Sequence, residues 1–403
     1  MKDKWKEYTV DEFADVIGGG TPSTTNEENF GGDIPWITPK DLSNYNFRYI
    51  ERGERNITNK GLKNSNATLL PSGTVLLSSR APVGYLAIAA KSVTTNQGFK
   101  SFVVREGFDN LFIYYLLKSN VDYLKSQSSG TTFSELSGGT LKKLKFTIPQ
   151  FSEQRAIAEV LGSLDDKIEL NRQTNTTLEK MAAVFNEWFF DKPEAKGWEI
   201  SSLGELFSKD KNCVLTGPFG SNLHAHDYRE GGTPLLLVRN IMYGNIDEDD
   251  VPLVGAHKLP ELLRYQLKNG DIVFTRVGAV GRSAYIHRRH EGWLISGQTL
   301  RVRVPDKGKL NPRYLAQVYL EPSFVSMVES YALGTTRPSL NTSILQSFKF
   351  VVPPIEIQDK FAEIVLTFDE KIQNNNNENR TMATLRDSLM PRLMRGEIRM
   401  RVY

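Results

Sequence analysis

The 403-residue sequence contains a single cysteine, Cys213. One thiol can form neither an intrachain disulfide nor a cysteine-based zinc or iron–sulfur site, which fits a reducing cytosol. The sequence also lacks a run of about 18 apolar residues, and residues 1–6 lead into no apolar stretch of the signal-peptide type. We therefore expect a cytoplasmic protein without a membrane span.

An excess of charge of one sign is lacking as well. Lys and Arg together number 50 and Asp and Glu 47, which gives a formal net charge of +3. Proteins that neutralise phosphates usually carry a larger positive excess, so this value alone argues weakly against nucleic acid as a ligand. A chain of this length is expected to divide into more than one domain.

What the sequence does contain is an internal repeat. Residues 145–168 align with residues 349–372 without a gap, at a constant offset of 204. Upstream the copies diverge, but Val83-Gly84 aligns with Val280-Gly281 and Asn96-Gln97 with Gly297-Gln298. The identical pairs of the gapless segment are Lys145/Lys349, Phe146/Phe350, Pro149/Pro353, Gln154/Gln358, Ala158/Ala362, Glu159/Glu363, Asp165/Asp369, Lys167/Lys371 and Ile168/Ile372. The chain is therefore predicted to contain two copies of one unit.

Each copy has a globular part with short β-like runs and a helical part that begins just after a proline. We predict an α+β fold in which two globular domains are separated by two long helices, packed as an antiparallel coiled coil with internal pseudo-two-fold symmetry. The predicted boundaries are 1–150 for the first globular domain, 151–190 for the first helix, 191–352 for the second domain, and 353–403 for the second helix and tail.

The helical parts show the alternating steps of four and three residues that are typical of a coiled-coil seam. The predicted seam residues are Ile157, Leu161, Leu164, Ile168, Asn171, Asn175, Leu178, Ala182, Phe185 and Phe189 in the first helix, and Phe361, Val365, Phe368, Ile372, Asn375, Asn379, Met382, Arg386, Leu389 and Leu393 in the second.

The asparagines lie at equivalent seam positions in the two helices. A polar seam residue rejects slipped pairings, so these asparagines favour one register. Alternatively, the run Asn374–Asn377 breaks the second helix. Pro391 should kink or end this helix near Leu389, which would leave residues 392–396 as a separate capping turn.

No constellation typical of an enzyme is found, and we predict no catalytic residues and no metal site. Residues 311–314 (Asn-Pro-Arg-Tyr) lack the second proline of the Asn-Pro-Pro-Tyr loop of amino-methyltransferases, so Asn311 is better explained as the cap of a helix that Pro312 begins. His224, His226 and Asp227 have no counterpart in the first copy and no strong metal-ligand spacing, which favours a polar loop.

Loops at equivalent places in both copies carry small hydrogen-bonding residues flanked by basic ones. Arginine can pair with guanine and asparagine or glutamine with adenine, while threonine and glycine amides suit phosphate oxygens. Any one of these residues could simply form a turn, and the interpretation depends on their recurrence. The predicted DNA-binding residues are Lys40, Ser79, Arg80, Asn96, Gln97, Thr131, Thr132, Arg239, Arg276, Arg282, Gln298, Thr335, Thr336 and Arg337.

Several short motifs recur near the domain starts and the helix starts. They are Gly18–Ser23, Gly31–Ile37 and Lys40–Leu42 in the first domain, Gly217–Leu223 and Gly232–Leu235 in the second, and Ile148-Pro149, Gln154–Ala158, Val352–Pro354 and Gln358 around the helix starts. With these motifs the chain resembles, over essentially its whole length, the specificity subunit of a type I DNA restriction-modification system. In the second copy, Asp359–Phe361 departs from the family pattern at the helix entry.

The resemblance implies a non-catalytic subunit whose two target recognition domains each read one half of a bipartite, asymmetric site in double-stranded DNA. It implies that the helices set the spacer between the halves. It also implies two methyltransferase subunits that bind S-adenosylmethionine and methylate adenine, together with ATP-driven restriction subunits, and no cofactor in this chain. The alternative is an architectural protein whose paired helices scaffold other proteins.

The formal net charge of +3 is distributed unevenly between the helical segments and the rest of the chain. Residues 151–190 have a formal charge of −3 and residues 353–397 one of −2, so the rest of the chain carries +8. That excess is modest for a protein that binds DNA alone. We interpret this modest excess to mean that the partner subunits supply part of the contacts with DNA.

Overall fold

The computed structural model describes residues 5–80, 82–128, 135–190, 197–210, 212–218, 223–333 and 339–400. The chain forms two compact units, one made of Met1–Asn175 with Asn374–Tyr403 and the other of Thr176–Gln373. Each unit therefore combines one globular part with one half of each long helix.

The first unit contains a five-stranded sheet, a three-stranded sheet and a two-stranded ribbon. Its strands are β1 (Lys6–Thr9), β2 (Ala14–Gly18), β3 (Phe30–Ile37), β4 (Tyr49–Ile50), β5 (Arg55–Ile57), β6 (Val75–Ser79), β7 (Val83–Ala89), β8 (Thr94–Thr95), β9 (Phe99–Val104) and β10 (Lys145–Ile148). The large sheet has the order β2-β9-β6-β7-β4, the small sheet β5-β3-β8, and the ribbon pairs β1 with β10.

The helices of the first unit pack against these sheets. They are α1 (Val10–Phe13), α2 (Asn59–Lys63), α3 (Asn110–Ser119), α4 (Val121–Ser126), α5 (Gly138–Lys143) and the long helix α6 (Phe151–Phe190), whose first half belongs to this unit. Helix α3 is capped by Asp109, whose carboxylate accepts a hydrogen bond from the Phe112 backbone N–H at 2.8 Å. Its residues 112–117 are buried in the core.

The second unit repeats this arrangement. Its strands are β11 (Glu199–Ser202), β12 (Val214–Thr216), β13 (Tyr228–Leu236), β14 (Leu253–Val254), β15 (Ile272–Thr275), β16 (Ser283–Tyr285), β17 (Leu294–Ile295), β18 (Thr299–Val302) and β19 (Lys349–Val352). The sheet orders are β12-β18-β15-β16 and β14-β13-β17, with a β11-β19 ribbon. The helices are α7 (Leu203–Leu206), α8 (Leu259–Leu262), α9 (Pro312–Val318), α10 (Pro322–Leu333), α11 (Thr342–Ser347) and the long helix α12 (Ile355–Met394).

The core of the second unit contains the single cysteine. Cys213 is buried, and its sulfur accepts a hydrogen bond from the Gln346 side-chain amide at 3.2 Å. In the same unit, the Asn311 side chain accepts from the Arg313 backbone N–H at 2.8 Å and Pro312 is the first helical residue, which confirms the predicted cap.

The long helices pack antiparallel in each unit, as predicted. In the first unit Asp165 contacts Arg386 and Asn171 contacts Asn379, so the residue numbers of successive contacts increase along α6 and decrease along α12. In the second unit the rings of Phe189 and Phe361 lie 4.5 Å apart. All predicted seam residues are buried or half-buried.

Helix α12 is continuous through Asn374–Asn377, so the alternative of a helix break there is wrong. The expectation that Pro391 ends the helix near Leu389 is also wrong, because α12 extends to Met394. Pro391 lies in the last turn, so the backbone hydrogen bond that its missing N–H would have made is one of the last in the helix. Two residues after the helix end, Gly396 has a positive φ of 69°, which favours glycine. No helix in the described ranges is long and apolar enough to cross a membrane.

Backbone hydrogen bonds correct one detail of the repeat. Asn96 donates from its backbone to Ile37 as Ser296 does to Leu236, at 2.9 and 3.2 Å. Asn96 therefore matches Ser296, and Gln298 matches Gly98 rather than Gln97. Likewise Ser79 and Arg276 match, since the backbone N–H of Ser79 donates to Gly98 and that of Arg276 to Gln298. The sequence alignment was wrong here by one residue because few identities flank these loops.

Candidate nucleic-acid interface

The glycine-rich motifs of both copies bring a strand end close to a loop. A Cβ on Gly19 would lie 2.0 Å from the Asn96 carbonyl oxygen, and one on Gly217 would lie 2.1 Å from that of Ser296. The Gly20 carbonyl also accepts a hydrogen bond from the Trp36 indole at 3.0 Å. Only glycine permits such close approach, so these motifs fix the loops that hold several predicted DNA-binding residues.

Lys40 and Arg239 occupy equivalent turns that follow β3 and β13. In the first turn Asp41 accepts hydrogen bonds from the backbone N–H groups of Thr38 and Glu54, both at 2.7 Å. In the second, Asn240 accepts from the Leu237 N–H at 3.3 Å and donates to backbone carbonyls of the following loop. In each turn, the polar residue that follows the basic residue, Asp41 or Asn240, therefore fixes the backbone conformation of the turn.

Both of these basic side chains are exposed. Lys40 forms an ion pair with Glu54 at 3.0 Å, and the hydrogen bond and charge of Glu54 raise its pKa. The Arg239 guanidinium donates to the Asp250 carbonyl at 2.7 Å. Contacts of this exposed kind are weak, so either side chain can exchange its partner for a phosphate or a base edge.

Arg80 belongs to a small charged cluster in the first unit. Its guanidinium lies 3.9 Å from the Glu135 carboxylate, and the Lys100 ammonium lies 3.8 Å from the other oxygen of that carboxylate. Lys100 was not predicted. The available signal was its position near the start of β9, two residues after Gly98 and close to the predicted residues Asn96 and Gln97. The cluster places two cations next to one acidic group.

Three further predicted residues of the first unit line the loop after β8. The Ser79 hydroxyl is buried and donates to the Gly98 carbonyl at 3.2 Å, while the Asn96 side-chain oxygen accepts from the Gly98 N–H at 2.9 Å. Gln97 is exposed and accepts a hydrogen bond from the Thr21 hydroxyl. Ser79 and Asn96 thus shape the loop, and Gln97 is the side chain that it presents.

In the second unit, the predicted residues differ in exposure. Arg276 is half-buried and donates to the Gly297 carbonyl at 3.4 Å, whereas Gln298 is exposed. Arg282 lies over the ring of Tyr243 at 5.9 Å and near the Met242 sulfur at 3.8 Å. Tyr243, which is exposed, was not predicted; the turn Tyr243-Gly244 was the available signal.

Five of the predicted DNA-binding residues lie outside the described residues: Thr131, Thr132, Thr335, Thr336 and Arg337.

The histidine-rich loop has a structural explanation. The buried Asp227 accepts a hydrogen bond from the His224 backbone N–H at 2.7 Å, and the His257 ring lies 3.3 Å from its other oxygen. Across the described part of the chain, no group of three His, Cys, Asp or Glu side chains could hold a metal ion.

Comparison with known families settles the relationship of the chain. The family model described as "Type I restriction modification DNA specificity domain" matches residues 2–180 and, a second time, residues 195–382. The chain belongs to this family. Each of the two matched specificity domains contains one globular part and most of the long helix that follows it.

Named relatives cover almost the full length of the chain. The type I restriction enzyme MjaIX specificity subunit of Methanocaldococcus jannaschii is 35% identical over 98% of this chain and 94% of the relative. The HindI specificity subunit of Haemophilus influenzae is 24% identical over 98% and 99%, respectively. The crystal structure of a type I restriction-modification S subunit from M. genitalium has the same fold, with a TM-score of 0.67 at 18% identity and 96% coverage of both chains.

Proposed function

We propose that this chain is the DNA sequence-recognition subunit of a type I restriction-modification enzyme and catalyses no reaction itself. The observation that carries the proposal is the duplication of one specificity domain, with an exposed cation on an equivalent, side-chain-fixed turn in each copy: Lys40 in the first and Arg239 in the second. Two similar readers in one chain suit a target with two different halves better than they suit a small ligand.

In this proposal residues 1–150 and 191–352 are the two target recognition domains. Each reads one half of an asymmetric bipartite site in double-stranded DNA. The helical segments 151–190 and 353–403 set the spacer between the halves. Among the predicted DNA-binding residues, the exposed Lys40, Gln97, Arg239 and Gln298 are best placed to reach a groove.

The proposed partners are two methyltransferase subunits, which would bind S-adenosylmethionine and methylate adenine, and restriction subunits that use ATP. The setting is the cytoplasm. The near-neutral net charge of +3 supports shared DNA binding, since the phosphate contacts that supply affinity would come largely from the partner subunits.

The decisive experiment maps methylated adenines across a genome with and without this chain, in cells that supply the methyltransferase subunit. We expect methylation of one bipartite sequence with a fixed spacer only when the chain is present. In vitro, the assembled complex should shift a duplex with that site at least about a hundredfold better than a scrambled duplex. Equal binding to both would favour the architectural scaffold instead.

A further inference from the structure

The repeat places an aspartate at equivalent positions of the two long helices, Asp165 on α6 and Asp369 on α12. Both side chains are largely buried, with 12% and 20% of their surface exposed. A buried carboxylate requires partners, and each aspartate receives at least one of them from the recognition domain of its own unit.

In the first unit, Asp165 joins three elements. One carboxylate oxygen accepts from the Tyr115 hydroxyl at 2.6 Å, and Tyr115 lies on α3 of the recognition domain. The other accepts from the Arg386 guanidinium of α12 at 2.5 Å. Although burial acts in the opposite direction, these hydrogen bonds and the charge of Lys118 lower the pKa of Asp165, so the carboxylate is ionised.

Arg48 extends this junction along α6. Its guanidinium donates to the Tyr115 hydroxyl at 3.1 Å and to the Gly162 carbonyl at 3.2 Å, and it forms an ion pair with Asp166. Since only 8% of the Arg48 side chain is exposed, the loop before β4 is held against the helix by a buried, multiply bonded arginine.

In the second unit, Asp369 is bound by Arg313 of the recognition domain. Arg313 of α9 donates from Nε to one carboxylate oxygen at 2.7 Å and from Nη2 to the other at 3.2 Å. The caps Asp109 and Asn311 make α3 and α9 equivalent, so Leu111 is the first-unit counterpart of Arg313. The aspartate is thus common to both copies, whereas the group that binds it differs.

We propose that Asp165 and Asp369 are positioning residues that fix the orientation of each recognition domain on its helical segment, and thereby the spacer length that the subunit accepts. The inference rests on the proposed function. Buried ion pairs contribute little net stability but demand a narrow geometry, most of all in the bidentate arginine–carboxylate form. Loss of one of these bonds should therefore widen the range of domain orientations. Because an unpaired buried charge is also destabilising, thermal melting has to accompany the spacer measurement.

The test compares Asp369→Asn, Arg313→Lys and Tyr115→Phe with the wild-type chain, each in the full complex, by genome-wide methylation mapping and thermal melting. We expect both half-site sequences to be unchanged. Methylation at sites whose spacer is one base pair longer or shorter should rise at least tenfold relative to wild type. The matched control is Arg105→Ala, which removes an exposed ion pair with Asp15 on the recognition domain and should leave the spacer distribution unchanged.

The outcomes separate the two proposals. Variants that fold into the complex and keep the single wild-type spacer would overturn the positioning role, whatever their melting temperature. A wild-type chain that directs methylation to no bipartite site would instead overturn the proposed function. If Asp369→Asn does not fold, Tyr115→Phe decides, because it removes one hydroxyl and leaves the packing of the ring intact.

Discussion

The side-chain amide of Asn375 donates a hydrogen bond to the side-chain oxygen of Asn175 at 2.7 Å, between two helices whose residues lie 200 positions apart in the chain. Asn175 in turn donates to Asn376 at 2.8 Å, and Asn171 donates to Asn379 at 2.9 Å. These amides are satisfied only in the observed register, since a shift of either helix would leave buried polar groups opposite apolar ones.

Replacement of Asn375 by alanine should therefore destabilise the protein. The buried side-chain oxygen of Asn175 would lose its donor, at a cost of about 1–3 kcal/mol in the free energy of unfolding. Urea denaturation measures this change. Asn377→Ala, on the exposed face of the same helix, should change the free energy by less than about 0.5 kcal/mol. Equal effects of the two substitutions would disprove the register role.

The glutamine that both repeats carry in the first turn of the long helix ties that helix to its globular domain. Gln358 accepts from the Asn311 backbone N–H at 2.8 Å and donates to the Pro353 carbonyl at 2.7 Å. Gln154 bonds Asp109 and Pro149 in the same way. Gln358→Ala should lower the free energy of unfolding by about 1–3 kcal/mol, because it leaves two backbone groups unpaired.

Thermal or urea unfolding of Gln358→Ala can be compared with Glu370→Ala, an exposed position on the same helix. A Gln358→Glu variant sharpens the test, since a carboxylate can still accept from Asn311 but cannot donate to Pro353. Because Gln358 is fully buried and one carboxylate oxygen would face the Pro353 carbonyl, this variant should be less stable than the alanine variant at neutral pH and should regain stability on acidification, when the protonated group can donate again. Wild-type stability of the alanine variant would show that water replaces both bonds.

His290 should make the second unit sensitive to acid. Burial, together with the charge of Arg289, lowers its pKa to about 4, although Glu248 opposes the shift. At pH values between the usual pKa of about 6.5 and this lowered pKa, His290 is protonated in the unfolded chain but not in the folded chain. Stability is therefore fully present above the higher value and is lost as the pH falls, by about 2 kcal/mol between pH 7 and pH 5.

Urea unfolding at several pH values, on the wild type and on His290→Gln, measures this contribution. The variant should lose less stability than the wild type on acidification, whatever its stability at pH 7. Asn377→Ala, an exposed position whose replacement changes no titratable group, serves as the control and should keep the wild-type pH dependence. The same dependence in all three proteins would show that His290 is not the responsible group.

Lys40 and Arg239 should each affect one half of the DNA target. If they read bases, Lys40→Ala and Arg239→Ala each relax discrimination at one half-site by about 1–3 kcal/mol per base pair and leave the other half unchanged. Competition binding of the full complex, with each half-site randomised in turn, distinguishes the halves. Lys91→Ala, which removes an exposed ion pair with Glu51, is the control. A uniform loss on all duplexes would instead make both residues phosphate contacts.

The repeated architecture and the antiparallel helices could be predicted from the sequence because their determinants are local or periodic. Steps of four and three residues define a coiled-coil seam whichever helix is the partner. The gapless match around Gln154 and Gln358 marks the junction between globular part and long helix in both copies. The asparagine positions predicted the register for the same reason.

Other features depend on contacts between residues far apart in the sequence, and no local pattern indicates them. The network of Arg48, Tyr115 and Asp165 joins three segments of the first unit. The loop alignment around Gln298 was wrong because only backbone hydrogen bonds define it. Pro391 shows the limit of a general rule, since the effect of a proline depends on its distance from the helix end.

The surroundings of Cys213 should make the folded chain react only slowly with thiol reagents. Burial raises the pKa of this thiol despite the hydrogen bond from Gln346, and the thiolate is the reactive form. Because the sequence has no other cysteine, new cysteines introduced at exposed positions, one in each unit, would be the only sites to react rapidly with maleimide dyes. Energy transfer between two such dyes would then follow the separation of the units directly, as DNA and partner subunits bind.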